Sequence, residues 1–392
     1  MTQAEINRRQ NAVAALLKEN PKIKIKDAAQ ILGISETAFR RYRDKACADK
    51  DTSVLTTIHN NRYEHAYKSM KDRVKDLEEA LEIKTKELQN YASLASMPKN
   101  MDIRHIPQDT TEVVPVIVAS DWHIEETVTA AITNGKNEYN LKIAEDSVNQ
   151  FFSKACDRVL QTREHSVVNT VVLAILGDII NGVLREEDLE TNQVTPVEAV
   201  TLARALIHSG IKTLRDRTGC RIHVICCVGN HGRLTDKIHY SNQVHCSLEY
   251  LMYKTLERDF QDTTGITFDV PESPYRIQSI LGVRVRFHHG HIIKFHGGIG
   301  GIAIPVLRKV AQMNTIEDAD LDVIGHFHTF QMFNKVIVNG SLVGSNGFSM
   351  SMGLPHDIPK QTYFEIDSKY GLTAIRPICI DREVTQQVIK EI

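Results

Sequence analysis

The stretch Val171–Asn181, VVLAILGDIIN, decides how the chain is read. Its apolar run, with β-branched Val and Ile, predicts a buried strand that turns at Gly177 and presents a carboxylate, Asp178. A carboxylate at the end of a buried strand needs a cation, an ion pair or a hydrogen-bond network, because an unpaired buried charge is strongly destabilising.

Four other strand-like runs end in side chains that bind metals. VVPVIVASDWH ends with Asp121 and His123, RIHVICCVGNH with Asn230 and His231, VRVRFHHGH with His289 and His291, and LDVIGHFH with His326 and His328. Helical stretches are expected between them, over Leu141–Gln161, Val197–Arg217 and Gln243–Phe260. Strands alternating with helices predict an α/β architecture, in which ligands bind beyond the carboxyl ends of the strands. All five motifs occupy that place.

With 392 residues, 42% hydrophobic and 24% charged, the chain is long enough for two or three globular domains. No apolar run reaches the ~18 residues of a membrane span. The opening MTQAEINRRQ has no apolar signal core, so a cytoplasmic location without membrane contact is expected. The seven cysteines include no CxxC pair, and adjacent Cys226 and Cys227 in a strand pattern read as buried thiols.

The net charge of −2 conceals a basic beginning: residues 1–50 hold eleven Lys or Arg against six Asp or Glu. The run IKDAAQILGISETAFRRYR has small Ala28 and Ala29 in one helix, a turn at Gly33, and Ser35 capping a third helix over Glu36–Lys45. It resembles a helix-turn-helix, and Arg40, Arg41, Arg43 and Lys45 are the expected DNA contacts. The alternative is a small helical bundle whose basic face meets protein or solvent.

From Tyr63 the positions Tyr67, Met70, Val74, Leu77, Leu81, Lys84, Leu88 and Tyr91 follow in steps of four and three, a heptad seam. A coiled coil is expected here, forming a homodimer through residues 63–91, although a single long helix lying on another domain would carry the same pattern. Ser96–Glu112 has the Pro and polar content of a linker. The expected organisation is therefore a basic all-α domain at 1–50, a coiled-coil helix at 60–95, a linker at 96–112 and a catalytic domain at 113–392.

Taken in order as DxH, GD, GNH, HG and GHxH, the five motifs resemble the calcineurin-like metallophosphoesterase superfamily over about Val113–Asp367. That superfamily includes phosphoprotein phosphatases, cyclic-nucleotide phosphodiesterases and SbcD-type nucleases. The resemblance implies a two-layered β-sandwich flanked by helices. It also implies two metal sites sharing Asp178: Asp121, His123, Asp178 and His328 for the first, and Asp178, Asn230, His289 and His326 for the second. It makes His231 the residue that protonates the leaving oxygen or stabilises developing charge, and a metal-bridging hydroxide the nucleophile. Imidazole nitrogens mixed with carboxylate and amide oxygens, without thiolate, suit two divalent ions of Mn, Fe, Zn, Ni or Co, with Mn expected first.

Two departures bear on the substrate. The phosphoprotein phosphatases place Asp-Arg after GD and Glu after GNH, and the nucleases usually place Asp after GNH; here the runs are GDIINGVLREED and GNHGRLTD, with Gly232 in that position. Arg233 is either a phosphate-binding cation or a structural ion-pair partner. His296, in the glycine-rich KFHGGIGG, is a candidate substrate contact. The fusion of a basic helical segment to such a site points to a DNA-directed phosphodiesterase, a nuclease. The alternatives are a phosphatase or cyclic-nucleotide phosphodiesterase with a protein-binding N-terminal domain, and a DNA-binding regulator with an inactive catalytic domain.

Overall fold

The computed structural model describes residues 2–95, 110–295, 297, 300–351 and 356–382, and the chain divides into two units, Met1–Ile106 and Pro107–Ile392.

In the first unit, α1 (Gln3–Glu19), α2 (Ile25–Ile31) and α3 (Glu36–Ala95) surround a small core of Val13, Ala28, Ala29, Phe39 and Tyr42. The turn between α2 and α3 uses Gly33 at φ +61°, a left-handed conformation that glycine adopts without strain. Ser35 Oγ then accepts from the Ala38 backbone N–H at 3.2 Å, the capping bond expected of it. One expectation is corrected. The third helix of the basic domain and the heptad helix are a single 60-residue element, so the chain does not change element near residue 50. No proline or glycine occurs between residues 36 and 95 to stop the helix. Most of the expected linker, residues 96–109, lies outside the described residues.

The second unit begins with β1 (Val113–Ala119), α4 (Leu141–Arg163), β2 (Thr170–Ile175), α5 (Glu186–Thr191), α6 (Pro196–Thr218) and β3 (Arg221–Cys226). A 3₁₀ turn at Val244–Cys246 precedes α7 (Leu248–Asp259), which is followed by β4 (Ile266–Asp269), β5 (Arg276–Ile280), β6 (Val283–His288) and α8 (Ala303–Asn314). The chain then forms β7 (Leu321–Ile324), β8 (Gln331–Phe333), β9 (Val336–Val338), α9 (Gly347–Ser351), β10 (Lys360–Asp367) and β11 (Gly371–Cys379). The helix boundaries follow local chemistry. Asn140 caps α4; Thr195 and Glu198 form a capping box at the start of α6, Pro196 takes its first turn, and Gly219 closes it at φ +67°.

Two sheets result. One has the order β11-β10-β1-β2-β3-β4, with β1 to β4 parallel; the other has the order β5-β6-β7-β9-β8, with β6, β7 and β9 parallel. The two-residue period of a strand sorts the side chains of the first sheet. Val116, Val118, Val172 and Ala174 pack with Val285, Phe287 and Val323 between the sheets. Ile117, Ala119, Leu173 and Ile175 turn the other way, toward Phe151 and Val159 of α4 and Ile207 and Ile211 of α6. On the far side of the second sheet, Ile324, Val336 and Val338 pack against Val306 and Val310 of α8. This is the two-layered β-sandwich flanked by helices that the motif resemblance implied. No helix among the described residues is long and apolar enough to cross a membrane.

Candidate metal centre

The parallel strands of both sheets end at one edge, where the five motifs meet. Asp121 and His123 follow β1, Asp178 follows β2, Asn230 and His231 follow β3, His289 follows β6, and His326 and His328 follow β7. Their donor atoms cluster in overlapping triads, each within 4.8 Å: Asp121, His123 and His328; Asp178, His289 and His326; and His123, Asp178 and His231. The first two triads fall in the two metal sites the sequence motifs implied. The third shares His123 with the first and Asp178 with the second.

The backbone is bent to make this cluster. Eight described residues other than glycine have positive φ, and five of them are Asp121, His123, Asp178, His326 and His328, at 45° to 73°. Side chains disfavour that region, so the strain is concentrated where the donors converge. The loops after β2 and β3 also touch backbone to backbone. A Cβ on Gly177 would collide with the Gly229 backbone nitrogen, and a Cβ on Gly229 would collide with the Asp178 carboxylate.

Hydrogen bonds fix the orientation of the rings. The Leu176 carbonyl accepts from His289 Nδ1 at 2.7 Å, which leaves Nε2 to face Asp178 Oδ2 at 2.8 Å. His123 Nδ1 pairs with Asn181 Oδ1 at 2.9 Å, and its Nε2 approaches His328 Nε2 at 3.2 Å. The Asn181 carbonyl accepts from His231 Nδ1 at 2.8 Å, so the opposite ring nitrogen is the one left for chemistry. Asp178 Oδ1 accepts from the His231 backbone N–H at 2.8 Å, and Asp121 accepts from the His326 backbone N–H and the Ser120 hydroxyl.

The protonation tendencies match a cation-binding pocket. Burial holds His123 and His326 well below the ordinary imidazole range and takes His328 down to about 4, so these rings are neutral. Burial raises Asp121 to about 7. Burial also disfavours charge on Asp178, but the positive potential of His289 and His231 outweighs it and holds this carboxyl well below its usual value. His289 rises to about 9 against the opposing effect of burial, because Asp178 attracts a proton to it. Asp178 thus demands a positive partner, and neutral imidazoles beside it supply lone pairs. Asn230 Oδ1 is buried without a hydrogen-bond partner, and such an orphaned acceptor suits a cation. The donor set fits divalent metal.

Other candidates fared differently. Arg233 donates to the carbonyls of Thr235 (2.9 Å), Asn230 (2.8 Å) and Asp236 (3.2 Å), so three of its five donors brace its own loop. His291 stands 5.5 Å ring to ring from His289 but belongs to none of the triads. His296 lies outside the described residues. At the other end of the chain, Arg40, Arg41 and Lys45 are exposed on α3, while Arg43 is half-buried and paired with Asp44 at 2.7 Å.

The sequence reading missed two carboxylates that hold the loops. Glu249 of α7 is fully buried and accepts from the Ile179 and Gly229 backbone N–H groups, each at 2.7 Å. Glu125, also fully buried, accepts from Asn181 N–H and Gly182 N–H, each at 2.8 Å. A signal for the first was present: Glu249 occupies the same buried face of α7 as Met252, Tyr253 and Leu256. An acid on an apolar stripe needs hydrogen-bond donors from elsewhere.

No family model matches the chain, nor does any curated protein. Among solved structures, the chain is similar to wild-type Vps29 complexed with zinc from Entamoeba histolytica, at 12% identity over 68% of this chain and 99% of that one, with a TM-score of 0.28. It is similar to a predicted phosphoesterase from Streptococcus pneumoniae, at 13% identity over 66% and 84% of the two chains and a TM-score of 0.25. The hypothetical protein PH1004 from Pyrococcus horikoshii gives 14% identity over 69% and 89%, with a TM-score of 0.32.

Proposed function

We propose that the chain is a dinuclear metal-dependent phosphoesterase that hydrolyses phosphodiester bonds in DNA. The observation that carries the hydrolase reading is the meeting of Asp121, His123 and His328 with Asp178, His289 and His326, two donor triads from separate strand ends. Asn230, whose side-chain oxygen is buried without a partner, would be the further ligand on the side of the second triad. An intact donor set argues against a regulator with a decayed site.

Metal ions bound here, Mn first among them, would supply Lewis-acid activation of water and of the phosphoryl oxygens. The side chains do the rest. Asp178, which belongs to the triad with His289 and His326 and also to the one with His123 and His231, would balance cation charge there. Asn181 holds His123 through its side chain and His231 through its carbonyl, so the two rings keep a fixed spacing. His231, with Nδ1 tied, presents its other nitrogen to the departing ester oxygen and delivers a proton or stabilises its charge. Beside His231 lies a cavity of about 200 Å³, lined by Val183, Leu184, Leu234 and Leu248 together with Arg233 and Asp236, with room for the group beyond the scissile bond.

The DNA reading is supported by the α2–turn–α3 segment, read as a helix-turn-helix, and by exposed Arg40, Arg41 and Lys45. The test is purified protein with added Mn on single-stranded DNA, duplex DNA, a phosphodiester dye, a phosphomonoester dye and cyclic nucleotides, with Asp178→Asn as control. Metal-dependent cleavage of polynucleotide supports the proposal. Turnover of the monoester alone overturns the nuclease reading in favour of a phosphatase.

A further inference from the structure

The long helix α3 carries an apolar stripe that none of the described residues covers. Tyr63, Tyr67, Met70, Val74, Leu77, Leu81, Leu88 and Tyr91 are 51–71% exposed, and with Lys84 between the last two leucines they recur in steps of three and four along one side. Amphipathic helices owe most of their stability to the burial of such a face. We propose that a second copy of this chain covers the stripe as a parallel, in-register two-stranded coiled coil.

The choice of occupant follows from the spacing. A strict seven-residue repeat is the pattern that two helices share when each inserts its seam between the side chains of the other. A helix lying on a globular surface needs a wider stripe of period 3.6, and positions flanking this seam are mostly charged or polar. In the register set by the seam, Tyr67, Val74, Leu81 and Leu88 take one core position, and Tyr63, Met70, Leu77, Lys84 and Tyr91 take the other.

The orientation follows first from charge. In parallel pairing each flanking residue faces the one five positions further along the partner, which brings Arg73 opposite Glu78 of the second copy, and Glu78 opposite its Arg73. Two attractive pairs result from one register. The antiparallel register that sets Val74 against Lys84 brings Glu78 against the second copy's Glu78. The one shifted by a heptad sets Lys84 against Tyr67 and Glu78 against Lys71, so charge disfavours the first and the common end of the basic helices decides against the second. The first retains an attraction between Arg73 and Glu87, but Glu87 is already bound to Lys84 of its own helix at 2.6 Å. In the in-register parallel seam Lys84 meets the second copy's Lys84, and each ammonium is balanced by Glu87 of its own helix. A polar layer of this kind also penalises every other register.

The pairing direction also sets where the basic helices lie. At ~1.5 Å per residue, Arg41 stands roughly 55 Å from the middle of the seam. An antiparallel dimer would place the two basic helices at opposite ends of the rod, more than about 100 Å apart by the same rise. The parallel dimer puts both at the same end, where they can engage neighbouring turns of one duplex. The dimer stands on the seam alone, whether or not the strand-end site is a hydrolase.

The test uses the full chain. Sedimentation equilibrium should give twice the chain mass for the native protein. Arg73→Glu and Glu78→Arg should each raise the dimer dissociation constant about three- to tenfold, and the double variant should return it to within about twofold of native. An antiparallel dimer would not recover in the double variant, because in the first register the glutamate introduced at position 73 would face Glu87 and the two arginines introduced at position 78 would face each other. In the second register each of those arginines would face Lys71. As a second readout, Tyr91→Cys should form an intermolecular disulfide on mild oxidation beyond that of the native chain, since Tyr91 meets Tyr91 only in the parallel arrangement. A monomer, a larger assembly, or a dimer that neither recovers in the charge swap nor cross-links at position 91 overturns the proposal.

Discussion

Glu249 occupies the space that Gly232 leaves. A Cβ on Gly232 would stand 2.7 Å from Glu249 Cγ, and the carboxylate beyond it grips the backbone beside Asp178 and Asn230. The residue after GNH is glycine in this chain, and the acid that stands beside it comes from α7.

The first prediction follows from this placement. Glu249→Gln keeps the shape but turns an NH₂ donor toward one of two N–H donors, so one loop loses its partner. Divalent metal affinity should fall about 10- to 100-fold, as is common when a group supporting the ligands is altered. Folding stability should fall by about 1–3 kcal/mol. Isothermal titration with Mn and thermal unfolding read the two effects. Unchanged metal affinity would show that the clamp is structural only.

Gly229→Ala tests the packing of the same loops. The added methyl meets both the Asp178 carboxylate and the Asp178 backbone nitrogen, so a side-chain rotation alone does not relieve it. A loss of more than about 2 kcal/mol is expected, from overpacking and displaced backbone. Urea unfolding measures it, and Gly135→Ala provides a contrast. There a Cβ meets nothing within 4 Å, so only the backbone strain of φ +74° is felt.

Metal removal should be visible without any substrate. Addition of Mn at about 100 times its dissociation constant should stabilise the native chain by about 2.7 kcal/mol per site, and chelation should reverse it. Asp178→Asn should abolish most of that increment, because the amide is neutral where a carboxylate stands in two of the three triads. Differential scanning calorimetry with and without Mn decides this.

Arg233 should behave as a brace. Its three bonds to carbonyl oxygens need the forked guanidinium, so Arg233→Lys should fail to rescue what Arg233→Ala loses. Both variants should lower thermal stability by about 1–3 kcal/mol. Were Arg233 a phosphate ligand instead, lysine would restore most activity and stability would not change.

DNA binding, if it runs through α3, should carry a salt signature. Arg40→Gln with Arg41→Gln should reduce the slope of log affinity against log salt by about 2, one for each phosphate no longer neutralised. Arg43→Gln should do less, since that charge is already shared with Asp44. Fluorescence anisotropy on a duplex at several salt concentrations provides the slopes.

The sequence by itself determined which side chains are available to bind metal, and that each sits at the end of a strand. Alternating residues such as Val171, Val172, Leu173 and Ala174 sort to opposite faces of a sheet by a local rule, and a glycine turn follows by another. Only the tertiary structure decided what supports those side chains. The partners of Glu249 lie 70 and 20 residues away in sequence, and Glu125 reaches its partners across 56 and 57. Hydrogen bonds to backbone N–H groups carry no residue identity, so no pattern of letters announces them. The sequence leaves Arg233 open between phosphate-binding cation and structural partner for the same reason, because the carbonyls it meets belong to whichever residues the fold brings near.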